Sequence, residues 1–235
     1  MKRFLTSDEE QTFLKFLIYG VSGAGKTFLL STVPEPDRAF IASVEAGSLS
    51  LSGSSIEGAH INSMADAVEC FEWLKGSDEA KRFNFIQLDS ITELAELCLV
   101  EEMPNHKDGR KAFGAMMDRM KRLIRAFRDL PGCHVYMTAK QAQIQDESGR
   151  LYFGPEMPGQ KLGPGLPYWF DEVFALRLME HTDPESGVVK TVRTLQTASD
   201  EAFIAKDRSG KLQRFEDPNL ERVMNKILKG NNDEA

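Results

Sequence analysis

Apolar and polar positions along the chain follow two rhythms. Residues 13–19 (FLKFLIY) are an apolar run read as a buried strand, which passes through a glycine-rich stretch into a helix predicted to about residue 33. Pro34 and Pro36 end that helix, because neither supplies the N–H that a helix interior needs. AFIAS (39–43) predicts a second strand, and 64–75 an amphipathic helix with Ala67, Val68, Phe71 and Leu74 on one face. FNFIQLD (83–89) is a third strand, followed by a helix from ITELAELCLVEEM. Over 113–130, Met116, Met120, Leu123, Ile124, Phe127 and Leu130 share one arc, while Arg119, Lys121, Arg122, Arg125 and Arg128 fill the other. CHVYMTA (133–139) predicts a fourth strand.

Beyond it the rhythm breaks. Residues 140–167 are rich in Gly and Pro and too long for an ordinary connection, which predicts a functional or mobile loop. Residues 171–179 and 188–197 pair as a hairpin around DPESG, and a helix at 219–228 precedes a polar tail. Strand–helix alternation followed by hairpin strands predicts an α/β fold: a mainly parallel sheet flanked by helices, with an antiparallel hairpin extension. One domain over 1–229 and a tail at 230–235 is the expected organisation.

Composition narrows the class. The 235 residues are 41% hydrophobic and 28% charged, enough to bury a full core. Cys70, Cys98 and Cys133 lie far apart, which argues for a reducing compartment and against a disulfide framework or a zinc site. MKRFLTSDEEQ lacks the apolar centre of a secretory signal, and no apolar run approaches the roughly 18 residues of a membrane span. The expectation is a soluble intracellular protein. A net charge of −7 argues against a coat of basic charge but leaves room for a local basic groove. Within this acidic chain IAKDRSGKL (204–212) gathers Lys206, Arg208 and Lys211, either as a solvated turn or as cations aimed at something strongly negative.

The chemistry is concentrated in GVSGAGKT (20–27), which matches G-x-x-x-x-G-K-[ST] between a predicted strand and a predicted helix. Gly20, Gly23 and Gly25 let the backbone curl so that its N–H groups converge on phosphate oxygens. Ser22, Ala24, Lys26, Thr27 and Phe28 complete the stretch expected to hold ATP, with Lys26 reaching the β- and γ-phosphates and Thr27 binding Mg²⁺. Asp89 ends an apolar strand where such a site needs its second metal-shell carboxylate; with Ser90 it also fits a cap on the next helix. Glu45, just past the second strand, is placed to orient or deprotonate water, although spacing alone makes it only a loop glutamate.

In this order the segments resemble the RecA-type ATPase core. AFIASVEAG resembles the segment carrying RecA's catalytic glutamate, FIQLDS its Walker B strand, and HVYMTAKQ the strand leading into a DNA-binding loop. IAKDRSGKL resembles the Lys-x-Arg element of RadA, KaiC and DnaB-type proteins, whose cations reach the neighbouring subunit's ATP. With MKRLIRAFRDLP and LPYWFDEV, the set is most similar to short phage-encoded RecA-like nucleotide-binding proteins, which include single-strand annealing proteins, and it spans nearly the whole chain.

The resemblance implies an ATPase with Lys26 and Glu45 as catalytic groups and Lys206 and Arg208 acting in trans within a homo-oligomer. It implies loading on single-stranded DNA in the cytoplasm of a bacterial host cell, away from membranes, with a single-strand-binding protein as a further partner. Two departures stand out. Nineteen residues precede the phosphate loop, so RecA's separate N-terminal domain is not expected. RecA's strand ends in a glutamine that senses γ-phosphate, whereas here MTAKQ puts Ala139 and Lys140 near that place and Gln141 slightly later.

Two segments are then expected to meet DNA. MPNHKDGRKAF (103–113) holds Lys107, Arg110 and Lys111, and 140–167 holds Lys140, Arg150 and Lys161 interleaved with Tyr152 and Phe153. Cations that track phosphates and aromatic faces that stack bases are what unspecific single-strand binding requires. The same residues also fit a solvated helix face, a small hairpin around DESGR and a loop base packed by Tyr168, Trp169 and Phe170, with Asp146, Glu147 and Glu156 diluting the charge. A P-loop ATPase serving as a protein-remodelling or DNA-packaging accessory, without DNA contact, is the alternative. A small-molecule kinase is a third reading, against which no arginine-bearing lid is visible.

Overall fold

Strand β1 (Lys15–Gly20) is apolar on both faces, sending Phe16 and Ile18 to one side and Leu17 and Tyr19 to the other. Such a strand is stable only with cover on both sides, and the rest of the chain supplies it. The computed structural model describes residues 13–45, 48–145, 148–159, 161–182 and 187–229. The MKRFLTSDEEQ segment, Asp146, Glu147, the centre of DPESG and the 230–235 tail lie outside them.

After β1 come β2 (Ala39–Ser43), β3 (Glu57–His60), helix α1 (Met64–Gly76), β4 (Phe85–Asp89), α2 (Ile91–Glu102) and α3 (Gly109–Arg128). The chain continues through β5 (His134–Gln145), β6 (Leu151–Pro155), the short α4 (Leu162–Gly165), β7 (Glu172–Thr182), β8 (Val189–Gln196), β9 (Lys206–Asp207), β10 (Phe215–Glu216) and α5 (Leu220–Lys229). The main sheet runs β10-β8-β7-β1-β5-β4-β2-β3, with β6 on β5 and β9 on β7. From β7 to β3 all neighbours are parallel; β8, β9 and β10 form the antiparallel extension. This is the expected mixed α/β fold.

Helices α1, α2 and α3 cover the Leu17 face, and the segment after the phosphate loop covers the other with α5. Ser63, Ser90 and Asp108 cap α1, α2 and α3 by accepting a backbone N–H from the first turn, which fixes where each helix begins. The predicted core arc of α3 is buried at Met116, Met120, Leu123, Ile124 and Phe127, as expected.

Four expectations need correction. The helix after the phosphate loop is a 3₁₀ segment, Thr27–Thr32, ended by the extended backbone of Val33 ahead of Pro34. Val68 of α1 is exposed and Cys70 takes its place against the core, because α1 rolls its Met64–Ala67–Cys70 stripe onto the sheet. Residues 140–167 are not one long loop. Strand β5 runs on to Gln145 and pairs with β6 from Gln141↔Pro155 to Gln145↔Leu151, so the DESGR hairpin is the reading that holds. Finally, of the three aromatic residues expected at the base of that region, Tyr168 is 83% exposed, Trp169 packs partly buried against the core and Phe170 is fully buried. The three cysteines are buried and free, and no helix among the described residues is long and apolar enough to cross a membrane.

Candidate active site

Because β1, β2, β4 and β5 are parallel, their C-terminal ends open on one edge of the sheet, where α/β folds bind ligands. The register brings Gly20 beside Lys140 and Ser43 beside Asp89. Gly23 (φ 74°) and Gly25 (φ 105°) occupy the left-handed region that side chains disfavour, and the curl of the loop depends on both. Tyr136, buried on β5, donates its hydroxyl to Lys26 O at 2.6 Å and fixes the end of the loop from beneath.

Thr27 Oγ1 donates to Asp89 Oδ2 at 2.5 Å, and Thr138 donates to Asp89 Oδ1. Asp89 therefore faces the phosphate loop, and Ser90, not Asp89, caps α2. Burial pushes the Asp89 carboxyl up, against the two threonine hydrogen bonds that favour its charged form. A carboxylate and a hydroxyl meeting beneath a phosphate loop fit a magnesium ion arriving with a nucleotide: Thr27 would be its direct ligand and Asp89 its shell carboxylate.

Glu45 joins them through two anchors. Its backbone N–H and that of Val44 both donate to Asp89 O, at 3.3 and 2.7 Å. Ser90 Oγ donates to Glu45 Oε1 at 2.7 Å while accepting the Glu93 N–H that caps α2. Lys26 lies back on its own loop, donating to Gly20 O and Val21 O at 3.0 and 3.2 Å, so a phosphate has to draw it off those carbonyls. Burial lowers the Lys26 ammonium, partly offset by the charges of Glu45 and Asp89.

The expected DNA residues divide. Lys107, Arg110 and Lys111 are exposed at the start of α3, with Arg110 Nε 3.4 Å from Asp108. Lys161 is exposed beside the β5–β6 hairpin. Arg150 donates to the backbone carbonyls of Glu201 and Asp200. Lys140 is partly exposed but already committed: it ion-pairs with Glu93 and Glu96 of α2, at the nucleotide end of the sheet. The two basic segments adjoin, since a Cβ on Gly159 would lie 3.4 Å from the Phe113 ring of α3.

Lys206 and Arg208 stand far from the loop of their own chain. Lys206 pairs with Val173 at the N-terminal end of β7, and Arg208 Nη1 meets Asp171 at 2.6 Å. That end of the sheet is separated from the phosphate loop by the six residues of β1, about 20 Å of strand. Lys206 Nζ donates to Pro167 O and Phe170 O, so it also ties down the turn before β7.

Between these cations lies Glu172, only 1% exposed, whose Oε2 has no hydrogen-bond partner. Burial first, then the charges of Asp207 and Asp171, push its carboxyl up to about 8. The folded chain thus holds this proton more tightly than the unfolded chain does. Stability is therefore full below the ordinary carboxylate range and is lost as pH rises through 8. Glu172→Gln is expected to melt close to the parent at about pH 5 and above it at about pH 9. Thermal unfolding across that range checks this; parallel curves for the two proteins would remove Glu172 as the source.

Sequence reasoning missed Arg193, whose Nε donates to Ala24 O at 3.0 Å. No motif marks it. The family model for an AAA domain, AAA_24, matches residues 12–209. No curated protein matches the chain.

Proposed function

This chain belongs to the AAA_24 family of AAA domains, a P-loop NTPase family, and from that premise we propose that it is a RecA-like ATPase acting on single-stranded DNA. In this reading it assembles head to tail and serves phage recombination or annealing. Lys26 and the loop N–H groups hold the phosphates of ATP, and Glu45, fixed by Ser90, orients the attacking water. Magnesium, when bound, neutralises charge on the β- and γ-phosphate oxygens. Arg208 and Lys206 serve the site of the adjacent subunit.

The observation that carries the DNA reading is the meeting of the two basic segments. The β5–β6 hairpin leaves the nucleotide end of the sheet and comes down beside the start of α3. There a cleft of about 710 Å³ is lined by Gln143, Gln145, Tyr152, Glu156 and Lys161. Lys161 beside the Tyr152 ring and two neutral amides, with Lys107, Arg110 and Lys111 on the adjoining segment, suits a sequence-tolerant single-strand surface.

Charge reversal at Lys107, Arg110 and Lys111 tests it. Single-strand binding is expected to weaken and its salt dependence to flatten by roughly 0.7 per lost phosphate contact. ATP binding without DNA stays at the parental level. An unaltered salt slope in gel-shift titrations would take this segment out of the DNA path.

A further inference from the structure

Arg193 stands on β8, outside every motif of the chain, yet reaches the phosphate loop. Its Nε–H is given to Ala24 O, and a Cβ on Gly25 would lie 3.6 Å from that nitrogen. Its terminal amino groups carry no hydrogen bond among the described residues. Beside them opens a cavity of about 420 Å³, walled by Gly25, Phe28, Leu176, Pro218 and Arg193 itself. That volume is in the range of small-molecule sites, roughly 300–1,000 Å³.

The order of the strands says which part of a nucleotide faces this cavity. The groups suited to hydrolysis, Asp89 and Glu45, follow β4 and β2, which lie on the β5 side of β1. The reacting end of a triphosphate must lie there. A phosphate chain laid along the loop after β1 therefore carries its nucleoside toward the opposite side, over β7 and β8. Leu176 is on β7 and Arg193 on β8.

We propose that this cavity is the nucleoside site and that Arg193 is a nucleotide-binding residue acting within its own subunit, its guanidinium lying against the face of the base. The proposal rests on the ATP-binding reading of the phosphate loop. The chemistry suits the walls. Apart from Arg193, Ser50 is the only lining residue with a polar side chain, so few groups read the edge of a base. A guanidinium stacks on any aromatic face while its Nε–H keeps Ala24 in place. Recognition through the face makes the site tolerant of the base it holds.

Inorganic tripolyphosphate separates this role from a purely structural one, because it fills the phosphate loop and has no nucleoside. Binding of ADP, ATP and tripolyphosphate to the parent, Arg193→Ala and Arg193→Lys is measured by calorimetry. Arg193→Ala is expected to weaken ADP and ATP about tenfold more than it weakens tripolyphosphate, whose smaller loss reports the freed Ala24 carbonyl. Arg193→Lys, which lacks the planar group, recovers little. An equal loss for all three ligands means that Arg193 only shapes the loop through Ala24, and no loss for any means that it is a bystander; either result overturns the proposal. Lys26→Ala, which removes the phosphate contact, is the control that loses tripolyphosphate too. A parent chain that binds none of the three ligands overturns the phosphate-loop reading itself, and this inference with it.

Discussion

Lys26→Ala is expected to bind ATP at least a hundredfold more weakly than the parent and to show no measurable turnover, while its unfolding curve barely moves. Among the described residues the ammonium donates only to Gly20 O and Val21 O, partly exposed contacts of which each is worth about 1 kcal/mol or less. The loop keeps its other supports, from Tyr136 to Lys26 O and from Arg193 to Ala24 O. What disappears is the motif's own cation, which can follow the phosphate oxygens into the loop and bond them through its charge. Equilibrium nucleotide binding and steady-state hydrolysis, with circular dichroism as the folding control, decide the matter. Parental turnover in a folded Lys26→Ala protein would falsify the phosphate-loop assignment.

The second large effect concerns Arg208. It lies a strand's length from its own phosphate loop, so any catalytic work it does is done for another subunit. Arg208→Ala breaks one exposed ion pair with Asp171, worth at most about 1 kcal/mol, and the fold tolerates that. Turnover is nevertheless expected to fall about 10³-fold, the scale of a lost arginine finger. Glu45→Gln is expected to bind ATP normally and to hydrolyse it about 10²–10⁴-fold more slowly. Mixing the two inactive proteins restores activity, because about a quarter of the interfaces in a random head-to-tail assembly join an intact Glu45 to an intact Arg208. Mixed oligomers that are shown to form and yet stay inactive end the trans reading. Lys206 is the poorer variant for this purpose, since its loss also frees the carbonyls of Pro167 and Phe170.

The parts of this site that sequence made legible are those where chemistry restricts residue type. A loop that wraps phosphate needs glycines at positive φ and a lysine at its end, and GVSGAGKT has them. Asp89 was legible because an ionisable group at the end of an apolar strand is costly unless it has work to do. Strand β3 was not: Glu57–His60 (EGAH) has no β-branched residue, and it is a strand because its backbone pairs with Phe40–Ser43 of β2. Arg193 was hidden for a related reason, lying 169 residues from the carbonyl it holds, a separation that no local pattern spans. In α1 the pattern does not choose between Val68 and Cys70, because both are apolar enough to serve, and only packing against the sheet decides for Cys70.

Strand β5 has a mechanical consequence. Its first half is clamped between β1 and β4 and holds Asp89 through Thr138; its second half is one leg of the hairpin. The pairing passes from Gly20↔Lys140 to Gln141↔Pro155 without an unpaired residue between them. A beam with no joint transmits a tilt at one end as a tilt at the other. A load on Tyr152 or Gln143 has an unbroken paired strand along which to reach Thr138, which holds the Asp89 carboxylate, and a shift of that carboxylate has the same route back to the hairpin. By linkage the two effects are equal in free energy, so whatever the hairpin holds more tightly when ATP is bound makes ATP bind more tightly by the same factor.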